Sequence, residues 1–167
     1  APKGGHAIMH VIEKVNHDNY TFVICNMGAG VNYHPATIEQ YPKDKFRTSI
    51  PIFNIKAKQF LDQAWWLLFW RAQIIADDNN DEIYLYEVLY PQMASGQAVA
   101  AVSYNLDQNI LLKEQQHPSL NYRTPQRAGN CYFKSILELT RYLTCAAPNN
   151  LSRNHAKQLA FACRVEV

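Results

Sequence analysis

The stretch whose residue types could do covalent chemistry is Pro125-Gln126-Arg127-Ala128-Gly129-Asn130-Cys131-Tyr132-Phe133-Lys134-Ser135. Gly129 stands two residues before Cys131, and a helix-compatible run from Ser135 to Leu143 follows at once. That spacing predicts a thiol on the first turn of a buried helix. Unpaired backbone N–H groups and the helix dipole there favour thiolate over thiol. The same donors can hold a developing oxyanion, and Gln126 offers a side-chain N–H to that hole. The competing reading is a core cysteine that packs as a small apolar residue.

A thiol nucleophile also needs an imidazole to take and return the proton, and a polar side chain to fix that imidazole's tautomer. His6 heads one stretch rich in β-formers, and Asn26 ends the next. An antiparallel hairpin turning at Asn16-His17-Asp18-Asn19 would bring them side by side. His6 is therefore the expected general base and acid, and Asn26 the expected orienter. His10, on the same strand face, is a second candidate base, and His34 could approach from the loop after Gly30. Asp18 and His34 stand next in line as orienters, and an Asp in place of Asn26 is expected to be tolerated. A His6/His10 metal pair lacks a third ligand at metal spacing, so neither a metal nor a cofactor is expected.

The order His6, Asn26, Gln126, Cys131 resembles the permuted papain-like arrangement of the clan CE cysteine hydrolases. That clan holds adenovirus-type proteinases, SUMO proteases and bacterial effector deubiquitinases and acetyltransferases. The likeness rests on Gly5-His6-Ala7-Ile8 and Gly129-Asn130-Cys131-Tyr132-Phe133, and spans roughly residues 5–30 and 125–140. Asn26 stands where the clan commonly has a carboxylate, and Cys131 is not followed by the clan's usual Gly. The resemblance implies an α+β papain-like fold, with a hairpin or small sheet carrying the His and a central helix capped by the Cys. It also implies cleavage of a peptide or isopeptide bond through a thioester, with ubiquitin or a ubiquitin-like protein as substrate. An acyltransferase or glutamine deamidase would use the same triad. A non-catalytic interaction module, docking a partner or flanking parts of its own chain through Trp65, Trp66 and Trp70, is the reading from another class.

The 167 residues suit one domain over 1–167, and chemistry-bearing residues begin so early that a domain cut from a longer chain is expected. With 48% hydrophobic and 18% charged residues, the composition is that of a globular chain. A net charge of +2 with scattered Lys and Arg gives no argument for nucleic acid. Cys25, Cys131, Cys145 and Cys163 are widely spaced, which speaks against structural zinc or a disulfide framework and for a reducing, cytoplasmic compartment. No secretory signal is visible, and the apolar run Ala64–Trp70 is stopped by Arg71 short of a membrane span.

The elements that must position these residues are then as follows. Residues 6–25 form the hairpin, 26–30 a tight loop, 31–35 an extended exit, and 50–55 a short strand. Lys56 to Ala76 is the clearest helix, with Phe60, Ala64, Leu67, Leu68, Arg71, Ile74 and Ile75 on its apolar face. Residues 77–82 lack the spacing of an EF-hand and read as a solvated loop. Residues 83–90 suit strand or helix, 91–96 a turn, 97–104 a buried strand or short helix, and 106–116 a helix. Residues 117–127 form a loop before the core helix 131–145, and a last helix runs over 151–164 with Ser152 as its N-cap.

Overall fold

A computed structural model describes residues 7–37, 45–75, 82–96, 122–125 and 131–146; at 131, 145 and 146 it describes the backbone alone. The expected helices at 106–116 and 151–164, and the segment 97–104, lie outside those residues. The described chain mixes helices with small sheets, as an α+β reading requires.

Strands β1 (Met9–Lys14) and β2 (Asn19–Cys25) form the expected hairpin, but its first strand begins at Met9, with Ala7 and Ile8 before it, and not at position 6. Its turn is built by Asn16, whose Oδ1 accepts the Asp18 N–H and the Asn19 Nδ2–H, both at 2.9 Å. An asparagine that folds its own backbone into a turn is a local, sequence-readable device. Strand β5 (Ser49–Lys56) completes a three-stranded sheet in the order β1-β2-β5. Pro51 is tolerated in β5 because that strand lies at an edge of the three. Ile50, Ile52 and Ile55 are buried, so the inward rhythm gains one residue around Asn54, whose φ is 59°. Asparagine reaches that left-handed region more readily than a branched residue, and an inserted residue of this kind is how a β-bulge shifts a face.

The short strands β3 (Ala36–Thr37), β4 (Lys45–Arg47) and β6 (Tyr122–Arg123) make a second sheet, ordered β3-β4-β6 and antiparallel throughout. The exit from the 26–30 loop is only partly extended. Val31–Tyr33 is a 3-10 turn after Gly30 at φ 82°, and the chain straightens at His34, as a residue before proline must.

The long helix expected over 56–76 is two helices. α1 (Ala57–Phe60) stops at Leu61, and α2 (Gln63–Ile74) starts afresh with the Asp62 carboxylate accepting the Ala64 N–H at 2.9 Å. That N-cap was a signal the hydrophobic periodicity obscured. The break also resets the helical phase. Phe60, Trp65 and Phe69 are buried, whereas Leu67, Leu68, Ile74 and Ile75 are exposed, against the expected face.

Residues 83–90 resolve as helix, and the turn expected at 91–96 is helical as well. Tyr84–Leu89 winds as a π-helix, with the Tyr90 N–H reaching back to the Leu85 carbonyl, and α3 (Tyr90–Ser95) continues it. Pro91 has no N–H to give and its ring crowds the carbonyl four residues back. The wider π turn before it relieves that clash, which composition alone cannot reveal. Gly96, at φ 68°, ends α3, and the Gln59 side chain occupies the space a Cβ would need. The core helix is present over Cys131–Ala146 and is called α4 here.

The chain divides into two compact units. The first draws on Ala1–Val11, Val23–Ile50 and Leu112–Val167; the second on Ile12–Phe22 and Pro51–Leu111. In the first, Val11, Val23, Cys25 and Tyr142 form an apolar cluster, with Met9 and Leu139 packed against it. Helix α4 is thereby seated on β1 and β2. In the second, Phe22 is the hub of an aromatic core, with ring centroids 5.9 Å from Trp65, 6.1 Å from Phe69 and 6.2 Å from Tyr90. Buried indoles need partners for their N–H groups. Trp65 Nε1 donates to the Leu89 carbonyl at 2.8 Å, and Trp66 Nε1 to the Phe60 carbonyl at 2.6 Å, at the open end of α1.

Candidate active site

Helix α4 buries one stripe along its length. Ser135, Glu138 and Tyr142 are 0%, 3% and 1% exposed, and by helical repeat position 131 begins the same stripe. Cys131 is the first residue of that helix, as expected. Its backbone therefore lies among the N–H groups that no preceding turn can satisfy. His6 and Gln126 lie outside the described residues.

The residue that follows His6 is nevertheless tied to α4. Ser135 Oγ, one turn after Cys131, donates to the Ala7 carbonyl at 2.8 Å. A hydroxyl fully buried on an apolar helix face must find an acceptor, and here it finds the carbonyl of Ala7, in the segment that leads into β1 and next in sequence to His6. The chain around residue 7 and the first turns of α4 are thus within hydrogen-bond reach of each other.

Asn26 sits immediately after β2 and is fully buried. Its Oδ1 accepts the Gly28 N–H at 2.8 Å and its Nδ2 donates to the Ala29 carbonyl at 2.7 Å. The two partners are a donor and an acceptor, so the amide's orientation is fixed by chemistry. Asn26 therefore folds the 26–30 loop, whatever else it does. An Asp here would set a carboxylate oxygen against the Ala29 carbonyl with no proton to share, and would bury a charge. The tolerance for Asp expected from sequence does not follow from this geometry.

His34 is buried, and its Nδ1 lies 2.5 Å from the Arg47 carbonyl, so Nδ1 carries the proton and donates. Burial lowers its pKa from 6.5 to about 4, only partly offset by that bond. His10 is half-buried, and desolvation of its ring lowers its pKa to about 4 as well. Both imidazoles are neutral near pH 7, and each is a poor proton acceptor there. Asp18 lies in the hairpin turn, at the other end of β2 from Asn26, where it is exposed and bonded to His17 Nδ1 at 2.9 Å. It is the weakest of the alternative orienters.

Sequence reasoning missed the polar residues beneath these. The Thr48 carbonyl accepts the Asn26 backbone N–H at 2.8 Å, and Thr48 Oγ1 donates to Glu138 Oε2 at 2.6 Å. Glu138 Oε1 is ion-paired with Arg141, one turn on, and with Arg123 Nε of β6 at 3.3 Å. Arg47 stacks over the Tyr122 ring, 5.0 Å from guanidinium carbon to centroid. The available signal was spacing: a Ser and a Glu on the inward stripe of an otherwise apolar helix. No group of three or more His, Cys, Asp or Glu that could hold a metal occurs among the described residues. No helix among them is long and apolar enough to cross a membrane. No protein-family model, curated protein or solved structure matches the chain.

Proposed function

We propose that this chain is a thiol hydrolase of papain-like arrangement that cleaves a peptide or isopeptide bond. The Cys131 thiolate attacks the carbonyl carbon, forming a C–S bond and a tetrahedral oxyanion. Gln126 and the Cys131 N–H hold that oxyanion. His6 protonates the leaving nitrogen as the C–N bond breaks, leaving a thioester. Water then attacks as His6 takes its proton, and the thiolate departs. Asn26 accepts the other ring N–H of His6 and keeps the imidazole in register.

The observation that carries the reading is the 2.8 Å bond from Ser135 to Ala7, which joins the residue next in sequence to His6 to the helix that Cys131 opens. The packing of Leu139 and Tyr142 against β1 and β2 supports the same alignment, as does Asn26 at the end of β2. A ubiquitin-like substrate, acting in a reducing cytoplasm, belongs to the proposal through the clan resemblance alone.

Reaction with iodoacetamide and with a ubiquitin-type electrophilic probe tests nucleophile and substrate class separately. Cys131 should be alkylated near neutral pH in the folded protein and should capture the probe. Cys131→Ala should abolish turnover and labelling while leaving the thermal midpoint within a few degrees. Alkylation of Cys131 only after unfolding would overturn the mechanism; rapid alkylation without probe capture would overturn only the substrate class.

A second reading draws on a different observation. Leu67, Trp70 and Ile74 of α2 are 71%, 56% and 75% exposed and recur at helical spacing. A domain that binds a partner through this face without catalysis would keep its binding in Cys131→Ala, which separates the two readings.

A further inference from the structure

Thr48 is 1% exposed and stands between β4 and β5. It has two tasks on its two sides. Its carbonyl takes the backbone N–H of Asn26, and its hydroxyl is given to Glu138. Glu138 belongs to the helix that Cys131 opens, two turns further along. A buried carboxylate must be paired and hydrogen-bonded to be retained, and here the partners also fix its rotamer. Arg141 from its own helix and Arg123 from β6 both hold Oε1, which fixes the carboxylate and leaves Oε2 turned to receive Thr48.

Asn26's own amide is occupied with folding the loop that follows it. The bond from its backbone N–H to Thr48 ties it, through Glu138, to α4. Resting on the thiol-hydrolase reading above, we propose that Thr48 and Glu138 are positioning residues that set Asn26 against the head of the Cys131 helix. The chain is short: Asn26 N–H, Thr48, Glu138, α4. Arg123 gives it a second reach, because that residue lies three positions before Gln126. One carboxylate thus steadies the nucleophile's helix, the orienter and the strand that leads to the oxyanion donor. A misplacement of about 1 Å in such a constellation costs on the order of a hundredfold in rate.

The test is the pH dependence of Cys131 alkylation by iodoacetamide in the whole folded chain. Tryptic cleavage after Arg127 and Lys134 isolates Cys131 in a peptide without another cysteine, so its rate is read directly by mass spectrometry. In the unsubstituted protein the midpoint should lie well below the free-thiol value of about 8.5. Thr48→Val removes the hydroxyl and keeps the carbonyl. Its midpoint should rise by about one unit, and turnover should fall by about tenfold with KM within about twofold. Thr48→Ser restores the hydroxyl and should restore both. Glu138→Gln keeps an acceptor for Thr48 but loses its charge toward the arginines, and should fall between the two.

A merely structural pair would lower the thermal midpoint in Thr48→Val and leave the alkylation profile and turnover unchanged; that result overturns the proposal and spares the hydrolase reading. An unsubstituted protein whose folded Cys131 titrates as a free thiol overturns the hydrolase reading, and the positioning role with it.

Discussion

Phe22 in one unit and Thr48 in the other are both sealed from solvent, and what surrounds each differs in kind. Phe22 meets Trp65, Phe69 and Tyr90, with Trp66 also at its edge. Thr48 meets a backbone amide and a carboxylate. The contrast holds beyond these two residues. Among the described residues, Asn26, His34, Arg47, Thr48, Ser49, Ser135 and Glu138 are buried in the first unit, whereas Thr21 is the buried polar residue of the second. Each polar burial costs free energy unless a partner is supplied, so a chain gains nothing in stability by concentrating them. Aromatic packing needs no such matching and stabilises by area alone, with about 0.5–1.5 kcal/mol more per well-placed ring pair. The difference separates a unit organised to stay folded from one organised to hold particular atoms in particular places.

The sharpest way to break the comparison is to truncate its aromatic hub. Phe22→Ala should cost about 3–5 kcal/mol in urea unfolding, because one ring serves several neighbours and rigid aromatic walls close poorly around a void. All three tryptophans lie in that unit, so their fluorescence reports its unfolding directly. A loss under about 1 kcal/mol would mean the ring cluster is incidental.

Acid should act on the other unit. His10 and His34 have folded pKa values lowered from 6.5 to about 4, so the unfolded chain binds more protons between those values. Stability is then fully present above about pH 6.5 and is lost progressively as pH falls toward 4, by about 3 kcal/mol for each ring at most. Urea midpoints at pH 7 and pH 4.5 measure it. Replacing His34 with Gln should flatten the slope between them, and an unchanged slope would remove this account of His34.

The smallest effect sharpens the boundary of the aromatic core. Trp70 shares a helix with Trp65 but is 56% exposed against 2%. Trp70→Ser should change stability by no more than about 0.5 kcal/mol, and a thermal melt with an unaltered midpoint would bear that out. A large loss would place Trp70 in a contact that exposure does not reveal.

Several of these features were written in local chemistry. Asn16 makes the hairpin turn through atoms within three residues of itself, and Gly96 ends a helix through its own left-handed φ, so such signals need no knowledge of the fold. The hairpin, Asn26 at the end of β2 and the helix beginning at Cys131 were accordingly legible. The split of the tryptophan helix was legible in principle through the Asp62 cap, but an all-round apolar sequence hid which face turned inward.

Tertiary structure alone decided the rest. Pro91 became part of a helix because a π turn formed ahead of it. Asn26 became a loop-folding residue because the Gly28 N–H and the Ala29 carbonyl closed on its amide, which no spacing predicted. Glu138 takes its role from Thr48, ninety residues earlier, and from Arg123 of another strand, partners that no local signal names. Local sequence fixes what a residue can donate or accept. Only the fold brings a partner from far along the chain, and a buried polar side chain is defined by that partner.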